Sequence, residues 1–117
     1  MQKGQSMGNE EYQVIIDPAA NDRMYEHFEF LARVNVAAAN RLLDGFLSDI
    51  ESLESLPYRN PVYNRPYLPP DKYRSMISNK RYRIVYQVDD CYVYVDDIQD
   101  IRQADDKNLI WSDSADD

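Results

Sequence analysis

The side chains best suited to chemistry are basic residues in the middle of the chain. Residues 58–88 contain seven Lys or Arg and one acidic residue, whereas residues 1–57 contain four and ten, and residues 89–117 contain two and ten. The net charge of −8 would argue against a polyanion partner if the charge were spread evenly. A local surface of one sign still attracts the opposite sign over about 8 Å at physiological salt. Residues 58–88 are therefore the candidate surface for a phosphate-bearing partner.

Arginine is the residue type that would act on a phosphate group. Its planar guanidinium binds phosphate through paired hydrogen bonds, and RNA cleavage by a 2′-hydroxyl needs that charge stabilisation together with a general base and acid. Alternation along the strand-like run 81–88 places Tyr82 in the core and Arg83 on the opposite face. We expect Arg74, on the preceding run, to point the same way and to form a cationic cluster with Arg83. The other basic residues expected on or near this face are Lys72, Lys80 and Arg81.

Other classes of catalytic site are not indicated. One cysteine, Cys91, and one histidine, His27, cannot form a zinc site, and the Asp pairs lack the spacing of a calcium loop. The sequence contains neither a Gly-rich phosphate loop nor a nucleophilic triad. We interpret His27 as a surface or interhelical residue. No metal and no cofactor are predicted.

A strand and two helices are predicted in the first half of the chain. Residues 12–16 are rich in β-branched side chains and suit a buried strand. Asp17 and Pro18 have the residue types of a helix N-cap and first helical position. The apolar spacing restarts near Asn35 and continues as a second helix, which must end before Pro57 because proline disfavours helical conformation in the preceding residue.

A loop and three strands are predicted in the second half. Residues 57–70 contain five prolines, which indicates a stiff surface loop. Strand-like runs follow at residues 73–78, 81–88 and 92–98, with short polar turns between them that favour antiparallel hairpins. The predicted fold class is α+β with the order β-α-α-β-β-β, in which a two-helix hairpin packs on one face of a small twisted antiparallel sheet. The other face is left open for function.

Three tyrosines in the proline-rich loop, Tyr58, Tyr63 and Tyr67, have two interpretations. They can stack on RNA bases or pack on the edge of the sheet. The tyrosines of the strand-like runs are expected at core or half-buried positions instead.

The order of elements and several local patterns resemble the RelE/ParE superfamily of toxins from bacterial toxin–antitoxin systems. The similarity covers roughly residues 12–102, and its specificity comes from the joint order of patterns that are individually weak. These patterns are Ala38-Ala39-Asn40-Arg41, the sequence Ile-Glu-Ser-Leu-Glu-Ser-Leu-Pro at 50–57, Tyr73-Arg74, Tyr82-Arg83-Ile84-Val85-Tyr86, and Val93-Tyr94-Val95-Asp96-Asp97-Ile98 followed by Arg102.

The resemblance implies a highly twisted sheet with two helices on one side and a concave, often basic surface on the other. Members of the superfamily cut messenger RNA in the ribosomal decoding site or poison DNA gyrase, and an antitoxin blocks them. Arg83 matches the family position that contacts the scissile phosphate, and Arg102 matches a second basic position. Arg83, Arg74 and Arg102 are thus the candidate catalytic residues, and Lys72, Lys80 and Arg81 are the candidate RNA-binding residues.

One departure from the superfamily weakens the ribonuclease interpretation. Ribonuclease members usually supply a tyrosine or histidine near the C-terminus for proton transfer, and this sequence has neither after Arg102. Trp111 cannot replace them because an indole donates a hydrogen bond but is not a base.

Three functions remain open on sequence grounds. The first is a ribosome-dependent mRNA endonuclease. The second is a gyrase inhibitor without nuclease activity, which fits the missing proton-transfer residue and the long helical hairpin typical of the gyrase-poison branch. The third is an attenuated toxin. The expected partners are an antitoxin and either the ribosome with mRNA or DNA gyrase, and a homodimer is a further option.

The chain is predicted to have three parts. These are a disordered N-terminus at residues 1–11, the toxin domain at residues 12–103 and an acidic tail at residues 104–117. The tail either solubilises the protein or folds back over Arg74 and Arg83 as a phosphate mimic. No apolar run approaches the roughly 20 residues that cross a bilayer, and the N-terminus lacks a signal-peptide core, so a cytoplasmic protein without a membrane partner is expected.

Overall fold

Four strands and two helices form the part of the chain that the computed structural model describes, residues 11–102. In chain order they are β1 (Gln13–Ile16), α1 (Pro18–Ala32), α2 (Val36–Ser52), β2 (Tyr73–Ser78), β3 (Tyr82–Asp89) and β4 (Tyr92–Asp100), with a 3-10 turn at Pro57–Arg59. The predicted α+β class and order of elements are confirmed. The predicted disordered N-terminus, apart from Glu11, and the predicted acidic tail lie outside the described residues. Within this range no helix is long and apolar enough to cross a membrane.

The sheet is mixed, not wholly antiparallel as expected. Its strand order is β1-β4-β3-β2. The predicted antiparallel pairs β2–β3 and β3–β4 form, but β1 runs parallel to β4, with Val14 opposite Val93. The apolar composition of β1 predicts a buried strand, but β1 is an edge strand whose residues are exposed or half-buried. Composition also does not name the neighbouring strand, so tertiary packing decides the pairing.

A bulge interrupts β4 where it passes β3. Val85 lies opposite Asp97 while the next residue, Tyr86, lies opposite Val95, so Asp96 is the extra residue. A bulge bends the strand and redirects the side chains around it. Its consequence here is that Asp96 and Asp97 both lie on the face of the sheet away from the helices, where Gln87 Nε2 donates to Asp96 Oδ2 at 2.7 Å.

Helix α1 begins at the cap that the sequence predicts, and α2 begins where the apolar spacing restarts, with Asn35 as its cap. The Asp17 carboxylate accepts a hydrogen bond from the Ala19 amide at 3.0 Å, and Pro18 occupies the first helical position. The Asn35 side chain accepts from the Ala38 amide at 2.9 Å. Each cap pairs an amide that the helix itself leaves without a partner, which explains why these boundaries can be read locally.

Removing the second cap is expected to weaken α2. Asn35→Ala should lower the free energy of unfolding by about 1 kcal/mol, because one amide of the first turn loses its acceptor. Asn40→Ala, at an exposed interior position of the same helix, is the matched control and should be neutral or slightly stabilising. Urea denaturation followed by circular dichroism measures both, and equal losses for the two variants would contradict the capping role.

The hydrophobic core lies between the helices and one face of the sheet. The fully or nearly fully buried side chains are Ala20 and Met24 from α1, Leu42, Phe46 and Ile50 from α2, Leu53 just after α2, and Tyr82, Ile84, Tyr86, Val93, Val95 and Ile98 from the strands. We call this side of the sheet the helix face and the other side the open face. Since both helices pack on the helix face, the open face depends on other parts of the chain for cover.

Residues 57–72, which we call the strap, wrap around the outer edge of β2. The Tyr63 amide donates to the Tyr73 carbonyl at 2.7 Å, and the Ser75 amide donates to the Pro61 carbonyl at 3.1 Å. These bonds satisfy backbone groups that an edge strand otherwise presents to solvent. The strap is therefore a surface loop, as predicted, but one that is held against the sheet by backbone pairing.

Candidate functional site

Arg83 lies on the open face, as predicted. Its cross-strand partners are Ile77 on β2 and Gln99 on β4. Cross-strand partners share a face, whereas the flanking residues Tyr82 and Ile84 are buried on the helix face. Strand alternation alone was enough to place this side chain.

The strap covers Arg83 with a tyrosine ring. Tyr63 is only 6% exposed, and its ring centroid lies 5.1 Å from Cζ of Arg83 and 4.3 Å from Cζ of Arg65. The Tyr63 hydroxyl donates to Gln99 Oε1 at 3.4 Å. Nη1 of Arg83 is buried and has no hydrogen-bond partner within residues 11–102. The guanidinium is thus packed under an aromatic ring and is not freely presented to a ligand.

The open face also carries two carboxylates, and Asp97 is the one diagonally across from Arg83. Asp97 forms an ion pair with Arg23 of α1 and accepts from Gln99 Nε2 at 3.2 Å, and Asp96 is its neighbour on the bulge. Arg23 reaches Asp97 at a point on β4 beyond the four residues that β1 covers. Neither carboxylate was predicted at this face, because strict alternation would send one of two adjacent residues to each face and only the bulge brings them together.

Arg74 lies on the opposite face from Arg83, so the expected cluster of these two arginines is wrong. It pairs with Tyr86, which is fully buried on the helix face. Arg74 Nη1 donates to the carbonyls of Asn60 at 2.6 Å and Tyr58 at 3.2 Å, and its Cζ lies 5.0 Å from the Tyr58 ring centroid. The Tyr86 hydroxyl ties down the same stretch by donating to the Pro57 carbonyl at 2.5 Å. Arg74 therefore anchors the start of the strap.

The position of Arg74 on the helix face follows from the length of the turn between β2 and β3. A two-residue turn at Asn79-Lys80 would pair position 78 with Arg81, and hence Arg74 with a residue on the open face. The structure instead pairs Ser78 with Tyr82, which makes Arg81 a third turn residue. A register shift of one residue moves a strand's side chains to the other face.

Arg102 and Arg81 meet at Asp100, not at Arg83. Arg81 Nη2 lies 3.9 Å and Arg102 Nε lies 4.0 Å from the Asp100 carboxylate. Asp100 is the cross-strand partner of Tyr82, whose side chain is on the helix face. The expectation that Arg81 shares the face of Arg83 is thus also wrong, and the three candidate catalytic arginines do not converge.

The remaining candidates of the strap and turns are solvent-facing. Lys72 is exposed, with Nζ 5.5 Å from the Tyr73 ring centroid, and Lys80 is an exposed turn residue. Tyr58 and Tyr67 are each 53% exposed. Of the three loop tyrosines, only Tyr63 has its side chain buried against the sheet.

Two tyrosines near the open face are poorly suited to act as bases. Burial, followed by the charge of Tyr63 and a hydrogen bond to it, raises the pKa of Tyr67. Burial, followed by the charge of Asp96 and a hydrogen bond to it, raises the pKa of Tyr73. A general base works best with a pKa near the operating pH, and these shifts lead away from it.

The single histidine has a structural contact. His27 Nε2 lies 2.8 Å from the Ile98 carbonyl, and its ring centroid is 5.0 Å from that of Tyr82. His27 therefore joins α1 to β4 between helix and sheet, away from Arg83. In the described range no group of three or more His, Cys, Asp or Glu side chains has the arrangement of a metal site.

Comparison with known proteins points to one family. A family model described as the ParE toxin of a type II toxin–antitoxin system, parDE, matches residues 14–104. Among solved structures, the chain is similar to one titled "Chromosomal ParDE TA system from P. aeruginosa", with a TM-score of 0.57, 14% sequence identity, and coverage of 78% of this chain and 97% of that chain. At that identity the structural likeness supports the fold alone. No curated protein sequence matches the chain.

Proposed function

The chain belongs to the ParE toxin family of type II toxin–antitoxin systems, and we propose that it acts by binding and inhibiting DNA gyrase, without cutting RNA. The superfamily resemblance gives two targets, gyrase and ribosome-bound mRNA. The observation that carries the choice is that neither Arg74 nor Arg102 lies beside Arg83, whose guanidinium is covered by the Tyr63 ring. Arg74 lies on the helix face, whereas Asp97 lies on the open face, diagonally across β3 and β4 from Arg83.

The charges around Arg83 disfavour cleavage of a phosphodiester. A phosphorane needs preorganised donors aimed at the negative charge that develops on its oxygens. Asp97 is the diagonal cross-strand neighbour of Arg83, and the Tyr63 ring packs against the guanidinium groups of both Arg83 and Arg65. A phosphate at Arg83 would therefore meet the Asp97 carboxylate and a covering ring.

Proton transfer is a second difficulty for a nuclease. Tyr67 and Tyr73 have raised pKa values, and the His27 ring contacts the Ile98 carbonyl away from the open face. The sequence after Arg102 offers no histidine or tyrosine. General acid–base catalysis contributes typically 10²–10⁴-fold to rates of this kind.

Inhibition by binding avoids both difficulties. It requires a surface complementary to the target and no proton-transfer group. The helical hairpin is long, with 15 residues in α1 and 17 in α2, as is typical of the gyrase-poison branch of the superfamily. In this proposal an antitoxin covers the toxin and prevents it from reaching gyrase.

Two measurements in the same cells test the proposal. The chain is expressed without its antitoxin, gyrase-linked DNA breaks are quantified, and mRNA ends are mapped in parallel. We expect gyrase-linked breaks to rise with no new mRNA ends, and co-expression of the antitoxin to suppress the breaks. With purified gyrase, Arg83→Ala should change the inhibitory concentration by no more than about threefold, under 1 kcal/mol, since it removes no contact that the proposal uses.

Other results would contradict the proposal. Codon-phased mRNA ends that disappear in Arg83→Ala would identify a nuclease that uses this arginine. The absence of both readouts, with the chain folded and expressed, would identify an attenuated toxin.

A further inference from the structure

A cavity of about 290 Å³ lies at the end of the helical hairpin, where α1 ends, α2 begins and the β2–β3 turn approaches them. We call it the hairpin cavity. It is lined by Tyr82, so it lies on the helix face, away from Arg83. Its apolar walls include Phe30, Leu31, Leu42 and Tyr82, and its basic lining residues are Arg41 and Arg81.

The hairpin cavity combines exposed apolar surface with an uncompensated positive charge. Phe30 is 66% exposed, which is high for an aromatic side chain. Arg41 forms no ion pair with any residue in 11–102, whereas Arg81 shares Asp100 with Arg102. Apolar walls beside an unpaired guanidinium suit a peptide with a large apolar side chain and a neighbouring carboxylate. The volume, close to the lower limit of about 300 Å³ for ligand pockets, fits one or two side chains.

The chain leaves the described structure beside this cavity. The Ile101 amide donates to the carbonyl of Arg81, a lining residue, at 2.9 Å, and Arg102 is the last described residue. Residues 103–117 contain one apolar cluster, Leu109-Ile110-Trp111, with five aspartates on its two sides and one lysine. From Arg102 to Leu109 an extended chain spans up to about 25 Å, enough to return to a cavity that the preceding residues already touch.

We propose that residues 109–111 dock in the hairpin cavity of their own chain. In this arrangement the Trp111 indole packs on Phe30 and Tyr82, and the flanking aspartates face Arg41. Residues 103–117 thereby cover the helix face near the α1–α2 connection, and not Arg83 on the open face. This placement does not depend on the target of the toxin.

Trp111 is the only tryptophan of the chain, so its fluorescence reports on docking directly. In the full-length protein we expect a blue-shifted emission and reduced acrylamide quenching relative to a peptide of residues 103–117. Phe30→Asp and Arg41→Glu should each reduce the docking equilibrium about tenfold, 1.4 kcal/mol, and shift the emission toward that of the peptide. Leu47→Asp, at an exposed α2 position outside the cavity, and Arg59→Glu are matched controls that should leave the emission unchanged.

Circular dichroism identifies any variant that fails to fold. If Phe30→Asp fails to fold, Arg41→Glu still tests the proposal, because it reverses a charge at an exposed position. Several outcomes overturn the proposal. The first is an emission equal to that of the peptide. The second is a blue shift that is unchanged in Phe30→Asp and Arg41→Glu but is lost in Arg83→Gln. The third is a blue shift that depends on protein concentration, which would assign docking to a second copy of the chain. Protection of Trp111 that appears only with the antitoxin would assign the cavity to that partner.

Discussion

Arg74→Met is expected to lower the free energy of unfolding by about 2 kcal/mol, whereas Arg83→Met is expected to change it by less than about 1 kcal/mol. Arg74 donates to two backbone carbonyls of the strap and lies against the Tyr58 ring, so methionine keeps the apolar stem but loses the anchor. The figure is below the sum for two charged hydrogen bonds because one of them is solvent-exposed. Arg83 has a buried Nη1 without a partner in the described structure, so its removal relieves a desolvation cost that offsets the loss of the Tyr63 contact.

Thermal and urea denaturation of the two variants measure this difference. For a domain of this size a loss of about 2 kcal/mol corresponds to a fall in Tm of roughly 8–16 °C. Equal destabilisation by both substitutions would contradict the assignment of Arg74 to the strap and of Arg83 to an unsatisfied site. The comparison is matched because both variants replace arginine with methionine on adjacent strands.

The contrast between these two arginines shows which parts of the fold the sequence can predict. The helix start at Asp17 was predicted because a cap is a contact between residues two positions apart, and the start near Asn35 because the apolar spacing restarts there. The face of Arg83 was predicted because alternation within one strand is also local. The face of Arg74 depends on whether the β2–β3 turn has two residues or three, and Arg81 is compatible with both a strand and a turn.

Features set by several elements together could not be predicted in this way. The parallel pairing of β1 with β4 joins residues about 80 positions apart, and apolar alternation does not specify a partner. The bulge at Asp96 depends on how β4 crosses β3. That bulge brings Asp96 and Asp97 to the open face. The open face is therefore of mixed charge, whereas the sequence predicted a cationic surface.

Tyr63 holds the strap over the Arg83 guanidinium, and a substitution of Tyr63 tests this contact. Tyr63→Ala is expected to lower the free energy of unfolding by about 3 kcal/mol, because a nearly buried aromatic ring and its contact with Gln99 are lost. Val62→Ala, on the same strap but 39% exposed, is the control and should cost no more than about 1 kcal/mol.

Hydrogen exchange distinguishes loosening of the strap from a general loss of stability. Two backbone hydrogen bonds join the strap to β2: the Tyr63 amide donates to the Tyr73 carbonyl, and the Ser75 amide donates to the Pro61 carbonyl. In Tyr63→Ala the protection of these two amides should decrease through local opening. The protection of amides in the β3–β4 ladder should decrease only as much as the global free energy of unfolding does. Uniform loss across all of them would mean that Tyr63 acts as an ordinary core residue. Selective loss at the strap would mean that Tyr63 holds a cover over Arg83, and that any ligand of this guanidinium must first displace it.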